Sequence, residues 1–387
     1  GKKGIDITPV WNKSNREHMI IGTEPGDVRI EADTVTANAG FSLPYFVDAD
    51  HINLDTVDRF IESSDFFTID VASYIGKRAP GEETGKFVAR AERYGEIRIP
   101  GMEKALTCTP DQLSDIAEKY LFAATKAAEI YRKILNLKGS DDFVTEVSMD
   151  EVPLPQTPVE LFYILMMLGD LRIPVQTIAP KFTGRFNKGV DYAGDPLIFA
   201  SEFESDLLVI KKAVSEFGLP GNLKISVHSG SDKFAIYPHI GSLIKKHDAG
   251  IHVKTAGTTW LEEVIGLAGS GGEALAFVKE IYIHALEKID ELCAPYADVI
   301  DINREALPST AEVASWDSGR FAASLTHIPG NPGFSPDMRQ LIHVAYKLAA
   351  IEKERYFRLL DENEVSISDC VYENIYNRHI CRLFGIE

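Results

Sequence analysis

Residues 223–255 read LKISVHSGSDKFAIYPHIGSLIKKHDAGIHVKT. Leu223–His228 and Ile251–Thr255 are short runs rich in β-branched residues, and Ile240–His247 between them repeats its apolar residues at helical spacing. Two strands separated by a helix run parallel, because the crossover returns the chain to the same end of the sheet. The alternation continues outward in both directions. Met19–Thr23, Tyr45–Asp50, Phe66–Val71, Phe143–Ser148, Val175–Ala179 and Val299–Asn303 are further strand-like runs. Leu54–Ile61, Pro158–Leu168, Leu197–Phe217, Thr259–Leu267 and Met338–Leu360 carry the helical period. Eight such runs predict an α/β fold, a closed (β/α)8 TIM barrel; five or six would predict an open sheet. The 387 residues fit one barrel with insertions, so residues 1–387 are read as a single domain.

The simple pattern lapses over residues 74–142. This segment is expected as an elaborated βα loop that covers the barrel mouth like a lid. It would contain an extended piece, Phe87–Ile99, and a long helix, Asp111–Leu137, entered through Thr109 as N-cap and Pro110 at the first helical position. Residues 338–387 are helical in pattern and rich in aromatics, and are expected as a C-terminal extension outside the barrel.

Composition narrows the partners. Hydrophobic residues make up 45% and charged residues 25%, a balance that supports a large core. The longest apolar run, Leu161 to Leu168, is too short to span a bilayer. Gly1-Lys2-Lys3-Gly4 has no apolar stretch behind it, so no secretory signal is expected and the cytoplasm is. A formal charge of −18 argues against nucleic acid and anionic membranes, and leaves room for a small anionic substrate only where cations cluster locally. Cys108, Cys293, Cys370 and Cys381 show no Cys-x-x-Cys spacing and read as cytosolic thiols. No Gly-x-Gly-x-x-Gly or Walker sequence is present, so no NAD is expected. A homo-oligomer is compatible with this composition.

In a barrel, alternate strand residues point inward. Here they are polar at nearly every strand end. Strand two offers Asp48 and Asp50, with His51 just beyond; strand three offers Thr68 and Asp70; strand four offers Glu146 and Ser148, then Asp150 and Glu151. Gln176 and Lys181 follow on strand five, Ser226 and His228 on six, His252 and Lys254 on seven, and Asp301, Asn303 and Arg304 on eight. Any one such Asp is more often a helix N-cap, and any one such His a hydrogen-bonded core residue. The set is harder to explain structurally, because burying so many polar groups is costly. Glu146, His228 and His252 suit a divalent metal, zinc or manganese, with Asp50 or Asp301 as substitutes for His252. Asp50, Asp70 and Glu151 are the candidate acid–base carboxylates. Lys181, Arg185 and Lys233 are candidates to hold a substrate anion. Ser229, Lys254 and Thr258 complete the substrate contacts, the last where the turn Thr255-Ala-Gly-Thr-Thr259 opens a helix.

Several longer stretches are distinctive: Tyr45-Phe-Val-Asp-Ala-Asp-His-Ile-Asn-Leu54, Lys181-Phe-Thr-Gly-Arg-Phe-Asn-Lys-Gly189, His228-Ser-Gly-Ser-Asp-Lys-Phe234, Lys254-Thr-Ala-Gly-Thr-Thr-Trp260 and His327-Ile-Pro-Gly-Asn-Pro-Gly-Phe334. With these, the chain from about Ile5 onward resembles the tagaturonate/fructuronate epimerase family of bacterial hexuronate catabolism. The resemblance implies a metal-dependent isomerase acting on a keto-sugar acid in the cytoplasm. The two sugar acids differ at a carbinol carbon β to the ketone, whose C–H is not acidic, so a one-step proton swap fails. Transient oxidation would need a nicotinamide; the missing fingerprint favours retro-aldol cleavage and re-addition. A Schiff base on Lys254 or Lys181 would leave the histidines without a role. Two other classes compete: a metal-dependent aldolase, lyase or other ketose epimerase, and a non-catalytic sugar-acid-binding protein, which would not need so many titratable groups.

Overall fold

The computed structural model describes residues 5–255 and 257–386. Gly1-Lys2-Lys3-Gly4 and Ala256 of the turn before Thr258 lie outside them. The chain divides into two compact units: Gly1–Thr183 with Leu197–Val227 and Leu243–His252, and Gly184–Pro196 with His228–Ser242 and Val253–Glu387.

The first unit is organised by a parallel sheet. Its strands are β1 (Val10–Ser14), β2 (Phe46–Ile52), β3 (Phe66–Asp70), β6 (Val144–Ser148), β7 (Thr177–Ala179), β8 (Lys224–Val227) and β9 (Ile251–Val253), hydrogen-bonded in that order. A separate antiparallel pair, β4 (Glu96–Ile97) and β5 (Leu106–Thr107), lies in the insertion. The helices are α1 (Asn15–Ile21), α2 (Pro25–Asn38), α3 (Gly81–Ala91), α4 (Pro110–Lys138), α5 (Pro158–Asp170) and α6 (Pro196–Phe217), with the second half of α7 (Tyr237–His247), whose first half belongs to the second unit. The rings of Phe66 on β3 and His252 on β9 lie 5.1 Å apart, centroid to centroid. With three strands between them, a flat sheet would hold these strands roughly 19 Å apart. The sheet therefore curls, as half of a barrel wall. Phe67, Ile69, Val147, Ile178, Ile225 and Val227 are buried on its other face. Helix α5 buries Leu161 through Leu168, which explains the apolar run that was too short to be a membrane span. Among the described residues, no helix is long and apolar enough to cross a membrane.

Several expected elements are different. Met19–Thr23 is not a strand: Ser14 and Glu17 form a capping box, Gly22 closes the helix in the left-handed conformation, and Met19 is exposed on α1. The first strand is Val10–Ser14, whose sequence VWNKS carries too few apolar residues to signal itself. Val299–Asn303 is not a strand either; the Asp301 amide donates to the Gln340 side chain and that of Asn303 to Asp337. The eighth strand of a closed barrel is thus missing from this segment. Leu54–Ile61 forms only a short 3-10 turn, Val57–Arg59. Phe87–Ile99, expected extended, is largely helical: Phe87 and Ala91, four apart, share the buried face of α3.

The long helix arrives as expected, with Thr109 and Gln112 forming a capping box, Pro110 first, and Gly139 as left-handed C-cap. Tyr94 packs on Phe162 and Phe217, and Arg90 pairs with Asp170 at 2.6 Å. Asp170 and Phe217 end helices α5 and α6, so these contacts lie towards the amino edge of the sheet, away from the mouth.

The second unit is helical: α8 (Thr258–Ser270), α9 (Gly272–Glu287), α10 (Ile289–Cys293), α11 (Thr310–Ser315), α12 (Ser318–Leu325), α13 (Pro336–Val344), α14 (Tyr346–Ile351), α15 (Lys353–Glu362), α16 (Glu364–Tyr372), a π-helix (Glu373–Cys381) and α17 (Arg382–Phe384). The single helix expected over Met338–Leu360 is broken at Ala345 and Glu352. The second unit's apolar core includes Trp260, Phe277, Tyr282, Leu341 and Ile342, and the unit also buries the guanidinium of Arg339 completely. Arg339 donates to Asp232 Oδ2 (2.5 Å), Glu262 Oε1 (3.3 Å), and the carbonyls of Gly189 and Leu325. Arg378 donates to Glu262 Oε2 at 2.9 Å. Two carboxylates and two guanidiniums thus leave the cluster neutral, the condition under which charges can be buried. Burial alone would raise the Asp232 carboxyl; Arg339, with His379 and His327, more than offsets this and holds it well below the carboxylate range.

Two outcomes follow for stability. Arg339→Met strands the buried Asp232 carboxylate, while Glu262 keeps Arg378, and should cost about 3–5 kcal/mol in denaturant melts; an unchanged midpoint would show that the cluster is dispensable. Burial, the largest cause in each case, lowers His18 and His327 to about 4 and His343 to about 3. The unfolded chain takes up these protons near the ordinary imidazole range of about 6.5, before the folded chain does. Stability should therefore be complete above about pH 6.5 and fall as the pH drops towards 4, and His327→Gln should flatten that slope. A variant with the wild-type slope would remove His327 from the account.

Candidate functional site

The sheet's curl turns its inner side chains towards one another, and register decides which meet. Thr68 pairs with Glu146 across β3 and β6, and Glu146 with Thr177 across β6 and β7. The Thr68 hydroxyl lies 3.0 Å from both Asp48 oxygens and 3.2 Å from Glu146 Oε1, and Thr177 donates to Glu146 Oε2 at 2.6 Å. All four residues are buried. They form a hydrogen-bonded polar floor one step below the strand ends.

Above this floor, β2 is irregular. Ala49 pairs with Phe67 and Ile52 with Ile69, so β2 spends one more residue than β3 over the same rise. The extra residue is a β-bulge, and His51 within it takes a left-handed φ of 50°. The bulge brings His51 onto the inner side, where its Nδ1 lies 3.2 Å from Asp70 Oδ2. The other Asp70 oxygen accepts from the Ala72 amide at 2.9 Å. Ionised Asp70 only accepts, so Nδ1 carries the ring proton and Nε2 is the ring's electron-pair donor, the arrangement of a metal-ligating histidine. On β6, Ser148 donates to Asp150 Oδ1 at 2.6 Å and orients that half-buried carboxylate.

The expected site residues distribute as follows. Asp50, buried, lies on the inner side of β2 opposite Ser14; Asp70 holds His51; Glu151 is exposed. Glu146 belongs to the polar floor, and the His252 ring lies against Phe66. Lys181 is half-buried, its amide bonded to Gln156 Oε1.

In the second unit, His228 is the residue after β8 and is buried. Ser229 and Asp232 behind it both take left-handed φ, 47° and 60°, without being glycine. Such strain persists only where surrounding contacts over-determine it. Here Arg339 holds the Asp232 side chain, while the Asp232 amide donates to His379 Nε2 at 3.0 Å. Ser231 bonds the hydroxyl of Thr258, which is buried at the start of α8, and the Gly230 amide donates to the carbonyl of buried Lys254.

Two expected anion ligands are otherwise engaged. Lys233 is fully buried, and its ammonium donates to the carbonyls of Asn187, Val190 and Ser231 at 2.6–2.8 Å, which spends all three donors. Arg185 pairs with Asp301 Oδ2 at 2.9 Å and with the Ile300 carbonyl. His51, Asp150, Arg339, Arg378, His379 and His343 were not assigned site roles from sequence. For His51 and Asp150 the signal was their place at strand ends; for the others, on C-terminal helices, there was none.

Residues 2–383 match the model of a family described as tagaturonate epimerase. The chain is 30% identical to the tagaturonate/fructuronate epimerase of Thermotoga maritima over a 402-residue alignment, covering 99% of this chain and 77% of that protein. It shares its fold with fructuronate-tagaturonate epimerase from Cohnella laeviribosi: the glycerol-complexed crystal structure has a TM-score of 0.81 at 24% identity, covering 99% of this chain and 77% of that one. The native structure gives the same TM-score at 23% identity. A match spanning nearly every described residue, with a polar, carboxylate- and imidazole-bearing strand edge beneath it, establishes that the chain belongs to the tagaturonate epimerase family and is a carbohydrate epimerase, an isomerase.

Proposed function

We propose that this protein interconverts D-tagaturonate and D-fructuronate, with a divalent metal and by carbon–carbon cleavage. The family match over residues 2–383 is the observation that carries the substrate. The same reading takes the curled sheet as the wall of a (β/α)8 barrel.

The donor set at the strand ends fits a cation such as zinc or manganese. His51 at the end of β2, Asp150 just past β6 and His228, peptide-bonded to the last residue of β8, supply two imidazoles and a carboxylate. They replace Glu146 and His252 of the sequence-based set, because Glu146 accepts from two threonines in the floor and His252 packs its ring on Phe66. When bound, such an ion polarises ketone and hydroxyl oxygens as a Lewis acid.

The protein's own groups would then do the following. Asp50 removes the hydroxyl proton at the carbon to be inverted. The bond from that carbon to its neighbour, α to the ketone, breaks; its electron pair stays on the ketone fragment as an enediolate, and the other fragment becomes an aldehyde. The aldehyde turns, the bond re-forms on its other face, and the proton returns to the new alkoxide. Asp70 positions His51.

NMR of tagaturonate with metal-loaded protein should show fructuronate, with no deuterium at the inverted carbon in D₂O. Deuterium there would sink the cleavage route, and release of three-carbon fragments alone would make the protein an aldolase. Asp70→Asn should weaken metal binding by about 10- to 100-fold in equilibrium dialysis while the fold is kept. Undiminished affinity would mean that His51 is not a ligand.

A further inference from the structure

With Lys233 and Arg185 engaged elsewhere, the substrate carboxylate needs another receptor. We infer that Lys188, His343 and the amino end of helix α8 form a carboxylate-binding site within the second unit. This rests on the hexuronate reading above and names the residues that would make the protein prefer acids.

The observations come from the second unit alone. Helix α8 begins at Gly257, in the left-handed conformation at φ 81°, and no side chain caps it. The Thr258 amide donates to the Thr255 carbonyl, and the amides that follow it at this helix end carry the partial positive charge that attracts anions. The imidazole of His343 is buried, 7% exposed, and is aimed at this helix end: a Cβ on Gly257 would lie 2.4 Å from Nε2 and 2.5 Å from Cε1. A Cβ on Gly189, at φ 74°, would lie 3.4 Å from the ring's Cδ2. The ring thus touches two glycines, where side chains would not fit. Its Nδ1 has no hydrogen-bond partner among the described residues, a cost that a folded protein seldom bears without use. Asn187 on the same loop has a buried Oδ1 in the same condition.

Lys188 stands between Asn187 and Gly189 and is half-buried. Its charge is the largest acting on the His343 ring. Among the described residues it makes no ion pair. Burial keeps His343 neutral near pH 7, so it offers one N–H donor and no charge, and Lys188 supplies the cation. Ammonium, imidazole N–H and helix amides around one small space suit a carboxylate, which accepts several hydrogen bonds at once.

The test uses the metal-loaded full chain, titrated calorimetrically with D-tagaturonate and with its neutral counterpart, D-tagatose. Lys188→Met should lower the ratio of acid to neutral affinity by about ten- to a hundredfold. His343→Gln, which keeps an N–H donor, should lower it less than His343→Leu; circular dichroism and melting checks identify any variant that misfolds. The same ratio is read in kcat/KM, with the loss expected in KM. A ratio unchanged in Lys188→Met, or equal loss for both sugars, would overturn the subsite. Wild-type protein that binds hexuronates without epimerising them would overturn the activity instead, and the binding ratio would still decide the subsite. Wild-type protein that binds no hexuronate would overturn both.

Discussion

Because the Phe66 and His252 rings meet across a sheet with three strands between them, every inward side chain of that sheet shares a narrow space with its counterparts. Apolar branched residues would fill it well. Here Asp48, Thr68, Glu146 and Thr177 occupy the layer, and their desolvation is offset by bonds to one another. Such a layer requires partners to stay in register, so it makes the strand ends rigid. The site residues above the floor inherit that rigidity from it.

The bulge in β2 acts within this frame. A regular strand would alternate Asp50 inward and His51 outward; one extra residue between Ala49 and Ile52 breaks the alternation and lets His51 meet Asp70. A chemically useful imidazole is thereby held on a strand rather than on a loop, with its tautomer set by a carboxylate that is itself anchored to the Ala72 amide.

The second unit solves a different problem. The loop that follows His228 contains two non-glycine residues in left-handed conformation, and the C-terminal π-helix supplies part of what holds them. Asn374, Arg378 and His379 project from that helix onto Glu262 and Asp232, alongside Arg339. π-Helical turns are rare and recur at functional sites. The buried charges balance, so the cluster fixes a geometry without leaving a stranded ion.

Local pattern was enough to reveal the parallel α/β architecture, the capped helix from Pro110, and the polar strand ends, because period, caps and alternation act over a few residues. It misplaced the strand at Met19–Thr23, where Ser14, Glu17 and Gly22 outweigh an apolar triplet, and missed VWNKS, which becomes a strand only through its pairing with Phe46–Asp50. It named Lys233 and Arg185 as anion ligands from charge alone. Whether a lysine faces substrate or three buried carbonyls is set by residues dozens of positions away, as Asn187 and Val190 are for Lys233. The roles of Arg339 and His343 lay wholly outside local reading. Their partners, Asp232 for one and Gly189 with Gly257 for the other, come from distant parts of the chain, and only the tertiary fold brings such groups within hydrogen-bonding or van der Waals range.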